Sequence, residues 1–438
     1  MPSARNVAIK LLLRVEKGAY SNIILDNERS FSELSDTDKK FTSRLFYGTI
    51  ERKITLDYII SLYLSKPISK LDKEILMILR TGIYQLLYMP SVPDNAAVNE
   101  SVKLATEFSK SSAKGMVNAI LRNFIRNDKT FSLPKDEISS LSVKYSVPSE
   151  LISKWIKDYG KEETEKILIG FSADENNITM RVNNTLISDD DFISEMKSMG
   201  IECTKSEILP HCVITSSFSG IENNPLYKKG YFHVQDIASQ LCAKALGAKR
   251  GETVLDVCSA PGGKTFTIAE IMENDGEIFA FDLHENRVKL IKNGAERLSL
   301  TSIKPRVADA TVFDETIPMA DKILCDVVCA GYGVISKKPE IKYKPLKETE
   351  RLPEIQLKIL QNASKYLKVG GELLYSTCSL SKDENDNVID KFLEDNKNFE
   401  GIPVLSEMGE PFGNYKATIF PYHFGGDGFF ISKIRRVR

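Results

Sequence analysis

Two cysteines stand where a reaction could use them. Cys329 lies three residues after Asp326, in Asp326-Val327-Val328-Cys329-Ala330-Gly331-Tyr332-Gly333. Cys378 follows the run Leu374-Tyr375-Ser376-Thr377 and precedes Ser379. If the strands ahead of them are neighbours, both thiols face one crevice. A single thiol is most often a small buried apolar group. A zinc site would need further Cys or His within motif spacing, and none is there. A disulfide does not suit a reducing compartment. Two thiols beside a methyl-donor site suit chemistry on a poor carbon nucleophile, and C5 of cytosine is one. Thiolate addition at C6, with a proton delivered at N3, makes C5 reactive enough to take a methyl group. A base then removes the C5 proton and the thiol leaves. Covalent catalysis divides one hard step into easier ones. It needs a nucleophilic Cys, an acid near N3 and a group that helps release. Cys378, Asp326 and Cys329 can fill those roles, Asp326 with its pKa raised if it is to donate a proton.

The donor site is argued from residues 253–265, Thr-Val-Leu-Asp-Val-Cys-Ser-Ala-Pro-Gly-Gly-Lys-Thr. An apolar run short enough for a buried strand meets Pro261, Gly262 and Gly263, and a helical stretch follows from Thr265. In a doubly wound α/β domain such a turn lets a ligand approach the backbone and the free N–H groups of the helix start. A plain tight turn is the bland alternative. Gly263-Lys264-Thr265 suggests a phosphate loop, but Cys258 stands where its first glycine belongs. G-x-G-x-x-G is absent too. Asp256, Asp282, Asp309 and Asp326 each fall at or just past a predicted strand end, where ligands bind in open α/β sheets. One such Asp is usually a turn or cap residue; four in register favour a nucleoside cofactor. Asp282 is placed for ribose hydroxyls and Asp309 for an adenine amine. Without a phosphate loop, S-adenosylmethionine is favoured over NAD or ATP.

These residues need a scaffold. The strands expected to carry them are 253–257, 277–281, 305–307, 322–325 and 372–375. A late antiparallel pair, 417–420 and 429–434, turns at Gly425-Gly426-Asp427-Gly428. That is an α/β doubly wound domain of the class I methyltransferase type, argued by analogy and placed at residues 229–438. Residues 131–228 read as a small α/β connector. It holds a linker over 127–150, helices from Leu151 and Asp190, strands at 177–182 and 213–215, and Trp155 as core. Residues 1–130 read as an all-α bundle. Its apolar faces include Ile75, Leu79, Ile83 and Leu86, with Asp72 as a helix cap. Arg5, Lys10 and Arg14 read as a solvated face.

Composition narrows the class. The chain has 438 residues, 42% hydrophobic and 27% charged, so several ordinary globular domains are expected. A net charge of -1 gives no general attraction to nucleic acid. Residues 1–126 hold 19 Lys/Arg against 13 Asp/Glu, a modest local excess. No run of about 18 apolar residues exists, and Met1-Pro2-Ser3-Ala4-Arg5 shows no signal-peptide core. Seven scattered cysteines fit reduced thiols. A cytoplasmic protein without membrane or metal partners, and monomeric, is expected.

The stretch Cys258–Thr265, the Asp326–Gly333 loop and Ser376-Thr377-Cys378-Ser379 resemble the RNA cytosine-5 methyltransferases with two active-site cysteines. The helical N-terminal region resembles the antitermination-factor-like RNA-binding domain fused to one bacterial branch, the ribosomal RNA small subunit methyltransferase B group. The resemblance spans nearly the whole chain. It implies methyl transfer from S-adenosylmethionine to C5 of a cytosine in 16S ribosomal RNA, leaving 5-methylcytosine during rRNA processing. It implies Cys378 as nucleophile and Cys329 in product release, with Lys264 and Asp326 near the base. Cys258, Ser259, Ala260, Pro261, Gly262, Gly263, Lys264, Asp282, Arg287, Asp309 and Asp326 would line the cofactor site. Residues 335–347, with Lys337, Lys338, Lys342, Lys344 and Lys347, would follow the RNA backbone.

One departure matters. The family usually has Asp-Ala-Pro-Cys-Ser-Gly where this chain has Asp326-Val327-Val328-Cys329-Ala330-Gly331. Proline fixes a backbone angle, so Val328 is expected to leave the loop freer. That motivates a second reading, an RNA-binding factor that keeps the fold with impaired turnover. A third is a P-loop-like nucleotide enzyme.

Overall fold

The computed structural model describes residues 3–18, 24–25, 28–173, 177–216, 218 and 220–438. The chain forms two compact units. One comprises residues 1–164 together with 335–344, the other 165–334 with 345–438.

The first unit is helical. Helix Lys73–Tyr88 is its centre, burying Ile75, Leu79, Ile83 and Leu86 against helices Ala4–Val15, Asp36–Glu51, Lys53–Leu62, Asp94–Glu107 and Lys114–Arg126. Arg80, a buried charge on this helix, is held by two carboxylates. The guanidinium donates to both Asp57 oxygens at 2.6 and 2.7 Å and to Glu16 Oε1 at 3.0 Å, the fork geometry that makes a desolvated Arg tolerable. Asp72 sits at the N-cap of this helix without a capping hydrogen bond; it pairs with Lys110 at 3.3 Å instead. Arg5 is not solvated as expected. It donates to Gln85 Oε1 at 2.7 Å and lies over the Phe41 ring.

The linker expected over 127–150 is largely structure. Asp136 caps a helix, Glu137–Tyr145, by accepting from Ser139 N at 2.8 Å. Thr55 Oγ1 donates to Val143 O and Ile54 N to Ser146 Oγ, fixing that helix to the bundle. Pro134 and Pro148 flank the helix rather than interrupt it, so reading them as loop markers hid the cap between them. The unit therefore runs past residue 130 and takes in Trp155, which is fully buried as expected. Residues 335–344 pack here too. Tyr343 OH donates to Ile50 O at 2.8 Å and Lys342 Nζ to Glu51 O at 2.8 Å, satisfying carbonyls that a helix end leaves open.

The second unit holds two sheets. The smaller is antiparallel in the order β2-β3-β1-β4, from β1 (Ile178–Val182), β2 (Thr204–Lys205), β3 (Cys212–Thr215) and β4 (Phe232–Val234). β4 pairs with β1, so this sheet reaches Val234, beyond the boundary expected at 228. Met180, Val182, Phe192, Met196, Val213 and Phe232 form its core.

The larger sheet contains β5 (Thr253–Asp256), β6 (Glu277–Asp282), β7 (Ile303–Val307), β8 (Ala320–Asp326), β9 (Leu367–Thr377), β10 (Phe399–Gly401), β11 (Lys416–Ile419) and β12 (Phe429–Arg436). Its order is β10-β12-β9-β8-β5-β6-β7, with β11 paired to β12. β7, β6, β5, β8 and β9 are parallel, and β12 is antiparallel to β9. Alternation along each strand makes two cores. Val254, Ile278, Leu324, Leu374 and Ile431 pack with Leu241 and Ile268 on one face. Leu255, Phe281, Ile323, Leu373 and Phe430 pack with Ile359 and Ile389 on the other. Chain order reverses across β5, so the crevice opens at the ends of β5 and β8.

Glu372 on β9 ties three strands by pairing with Lys322 of β8 and with Lys433 and Arg435 of β12. Burial alone would raise its carboxyl; the three cations outweigh burial and hold it near about 2. A carboxyl depressed from 4.5 stabilises the fold above 4.5 and loses that contribution as pH falls toward 2. Glu372→Gln is expected to cost about 2 kcal/mol at pH 7, after allowance for solvent screening, and almost nothing at pH 2. Urea midpoints of the two proteins at both pH values check this. A gap that does not narrow in acid would show that packing, not charge, carries the site.

Candidate active site

The glycine turn is built as expected, with its helix starting two residues early. Helix Gly263–Ile271 begins at Gly263, with Gly262 at φ +113° as its N-cap and no side chain capping it. A Cβ at Gly262 would meet the Phe266 ring at 2.3 Å, so both conformation and space demand glycine. Ser259 N donates to Phe281 O at 2.7 Å, and Arg287 Nη2 to Ala260 O at 2.8 Å. Arg287 also pairs with Asp282 Oδ2 at 3.2 Å, so it braces the loop against the acid expected to hold a ribose. Asp282 Oδ1 accepts from His284 N. Asp309 is exposed, and its Oδ1 accepts from Thr311 N and Oγ1; those hydrogen bonds hold its carboxyl below the ordinary range.

Asp256 departs from its expected place along the crevice. It is 1% exposed and accepts from Thr265 Oγ1 at 2.6 Å. Burial lifts its carboxyl to about 7. It anchors the start of the helix from below the loop. Asp256 Oδ1 and Ser259 Oγ are buried with no hydrogen-bond partner. An uncapped helix start and an orphaned hydroxyl fit a loop that takes a small polar ligand.

Beside this loop, Lys264 Nζ donates to Asp326 Oδ2 at 2.8 Å, and Ser376 Oγ to Asp326 Oδ1 at 2.8 Å. The ammonium also lies 4.9 Å from the centre of the Phe429 ring. Burial works to lower Lys264, but Asp326 and the nearby thiols outweigh it and hold the amine above its ordinary value. β8 and β9 are adjacent and parallel, pairing Asp326 with Ser376. That register brings Cys329 Sγ to 3.0 Å from Cys378 Sγ. The hydrogen bond to Cys378 and burial hold the Cys329 thiol well above its ordinary range. A third thiol, Cys242, is fully buried and pushed up to about 12 by burial, so it stays protonated.

The loop around Cys329 is tied, not free. Gln356 Nε2 donates to Val328 O at 2.9 Å, and Ala330 N to Glu384 Oε2 at 2.8 Å. Gly333 N donates to Cys378 O, and Gly428 N to Gly333 O, both at 2.8 Å. A Cβ at Gly333 would lie 1.9 Å from Gly428 O. The rigidity expected from a proline is supplied by hydrogen bonds. Val328 is 53% exposed, so Val328→Pro with Ala330→Ser is expected to leave methylation turnover within about threefold, as exposed substitutions usually do. A single-turnover rate raised tenfold would restore the view of a loosened loop.

A family model described as 16S rRNA methyltransferase RsmB/F matches residues 243–435. Others, described as NusB family and as a Methyltr_RsmF/B-like ferredoxin-like domain, match 2–126 and 147–222. The "Probable ribosomal RNA small subunit methyltransferase B" of Bacillus subtilis (strain 168) is 37% identical over 448 residues, covering 99% of each chain. The chain belongs to the ribosomal RNA small subunit methyltransferase B family. The Proteus mirabilis (strain HI4320) protein of that name is 30% identical, over 99% of this chain and 98% of its own. The crystal structure of PH0851 matches at TM-score 0.83 and 26% identity, over 100% of this chain and 99% of its own. A methyltransferase homolog protein from Pyrococcus horikoshii matches at TM-score 0.59 and 26% identity, over 69% of this chain and all of its own.

This family's fold is therefore the one expected: a NusB-type helical domain, a ferredoxin-like connector and an α/β methyltransferase domain. Among the described residues no helix is long and apolar enough to cross a membrane, and no cluster of metal ligands occurs. A further expectation fails. Lys342 is not available to RNA, being 4% exposed, bonded to Glu51 O and lowered to about 7 by burial. Ser376, Phe429, Gln356 and Glu384 belong to the site but were not expected there. Ser376 stands inside the Ser376–Ser379 stretch singled out in the sequence and Phe429 opens an expected strand, neither with a role assigned; the neighbourhoods of Gln356 and Glu384 carry no pattern. Only the pairing of β9 with β8 and β12 brings the first two in.

Proposed function

We propose that this RNA methyltransferase transfers a methyl group from S-adenosylmethionine to C5 of a cytosine in 16S ribosomal RNA, through a thioether between Cys378 and C6. The contact of Cys329 with Cys378 at 3.0 Å, beside the Lys264–Asp326 pair, carries this reading. S-adenosylmethionine, when bound, supplies an electrophilic methyl group. Residues 258–264 would cradle it, Asp282 and Arg287 would hold its ribose, and Asp309 would meet its base. The orphaned Ser259 hydroxyl and the uncapped helix start at Gly262 fit such a ligand.

The chain's own groups do the rest. The Cys378 thiolate forms a bond to C6 while N3 takes a proton that Asp326 relays from the Lys264 ammonium, and N3 hands it back along the same pair when Cys378 leaves. Once C5 carries its methyl group, the C5 proton must leave; its electron pair rebuilds the C5–C6 double bond and expels Cys378 as thiolate. Cys329 takes that proton. The structure supports this order. Cys378 is the first cause of the high Cys329 pKa. When Cys378 is bonded to carbon, that cause is gone, and Cys329 sheds its proton to solvent more readily at the step that needs a base. The helical domain and the exposed lysines 337, 338 and 347 are placed in the service of RNA affinity. The methylated cytosines of 16S ribosomal RNA, mapped by mass spectrometry with and without this protein, test the reading. Loss of one 5-methylcytosine is expected. An unchanged cytosine pattern with a methyl group lost elsewhere would overturn it.

A further inference from the structure

Glu384 lies six residues beyond Cys378, at the end of the turn that follows β9. It is 2% exposed. Its Oε2 accepts from Ala330 N at 2.8 Å, next to Cys329, and from Gln356 Nε2 at 3.0 Å. Its Oε1 accepts from Ser379 Oγ at 2.6 Å, next to Cys378. Its backbone oxygen accepts from Tyr375 OH at 2.6 Å, which fixes the residue to β9. Gln356 in turn donates to Val328 O. One buried carboxylate thus bridges the chain on either side of the sulfur pair. A desolvated carboxylate is costly unless several donors satisfy it, and three are supplied here for no evident packing gain.

We propose that Glu384 is the positioning residue that locks the Cys329 loop to the Cys378 loop and sets the distance between the two thiols. The inference rests on the two cysteines acting as proposed above. Glu384 also faces Cys329 electrostatically, with Cys378 and Asp326 as the other titratable groups there, and its negative charge adds to those holding the thiol protonated. Lys264 is the cation that faces Cys378.

Glu384→Gln and Glu384→Ala in the full-length protein test the proposal. Single-turnover methylation of ribosomal RNA, KM for that RNA, affinity for S-adenosylhomocysteine, Tm and the pH profile are measured, with Cys378→Ser in parallel. The amide of Glu384→Gln can keep all three contacts, accepting from Ala330 and Gln356 and donating to the Ser379 hydroxyl. Tm, KM and S-adenosylhomocysteine affinity should therefore hold. The methylation rate should stay within about threefold, while the rising limb of the pH profile of free-product release should move to lower pH, because a negative charge beside Cys329 is gone. Glu384→Ala should lose at least about a hundredfold, since misplacement alone has that effect. Wild-type rates and pH profile in both variants, with Cys378→Ser inactive, would overturn the positioning role alone. So would losses that only follow Tm. An active Cys378→Ser would overturn the covalent reading and this inference with it.

Discussion

Cys378→Ala abolishes both methylated product and covalent protein–RNA complex, whereas Cys329→Ala accumulates that complex as a slow band on a denaturing gel. This is the result expected from the proposed mechanism, in which the two thiols fail differently. Without Cys378 nothing attacks C6, and a lost nucleophile typically costs about 10⁴-fold or more. Without Cys329 attack and methylation still proceed, but the C5 proton has no base, and release slows by about 10²–10⁴-fold. The target must leave any stack to reach Cys378, so an unpaired cytosine is the expected substrate. Two merely structural thiols would give equal losses that track stability. A trap in Cys378→Ala would reverse the assignment. Free, fully methylated product at the normal rate from Cys329→Ala would remove the release role while leaving Cys378 as nucleophile.

Lys264→Met and Asp326→Asn each lower methylation by about 10²–10³-fold, and the double variant is little worse than either. The two groups are one unit, 2.8 Å apart, and coupled groups show non-additive losses. Lys264 is the more buried partner, with 14% of its side chain exposed against 27% for Asp326. Asp326→Asn should therefore also lower Tm by stranding the ammonium. Lys264→Met leaves a carboxylate that still accepts from Ser376 and reaches water, and should lower Tm less. Rates and melting curves of the three variants check this. Losses that multiply would mean that the pair does two separate jobs.

Most of the scaffold was legible in the sequence because it is written in short periods. Short apolar runs placed the five parallel strands, and the Gly425–Gly428 turn placed the closing antiparallel strand. Strand β9 was found only in part, since Lys368, Gly370 and Gly371 break its apolar run. β4 and β10 have three residues each, too few for any pattern. Asp282, Asp326, Cys329 and Cys378 were legible as residues at or just past strand ends. Lys342 was misread because a lysine-rich stretch looks uniform in sequence. Which lysine is buried depends on the carbonyl of Glu51, almost three hundred positions away. Asp256 was misread for a similar reason: strand-end position does not say which way a side chain turns. Val328 was judged by the missing ring of a proline, whereas Gln356 and Glu384 supply the constraint from outside the loop.

The backbone bond from Gly333 to the Cys378 carbonyl gives access to a quantity that sulfur chemistry would disturb. That amide proton can exchange with deuterium only when the segments bearing the two thiols part. Its exchange rate, read at a backbone amide rather than at either sulfur, therefore counts how often the pair opens in the unmodified protein. Gly428, whose amide closes on Gly333 from the other side, supplies an internal control. If the two amides exchange together, the three segments open as a single cooperative body. If Gly333 exchanges first, the thiol pair breathes on its own, and its opening frequency sets an upper bound on how fast a base can enter between the sulfurs.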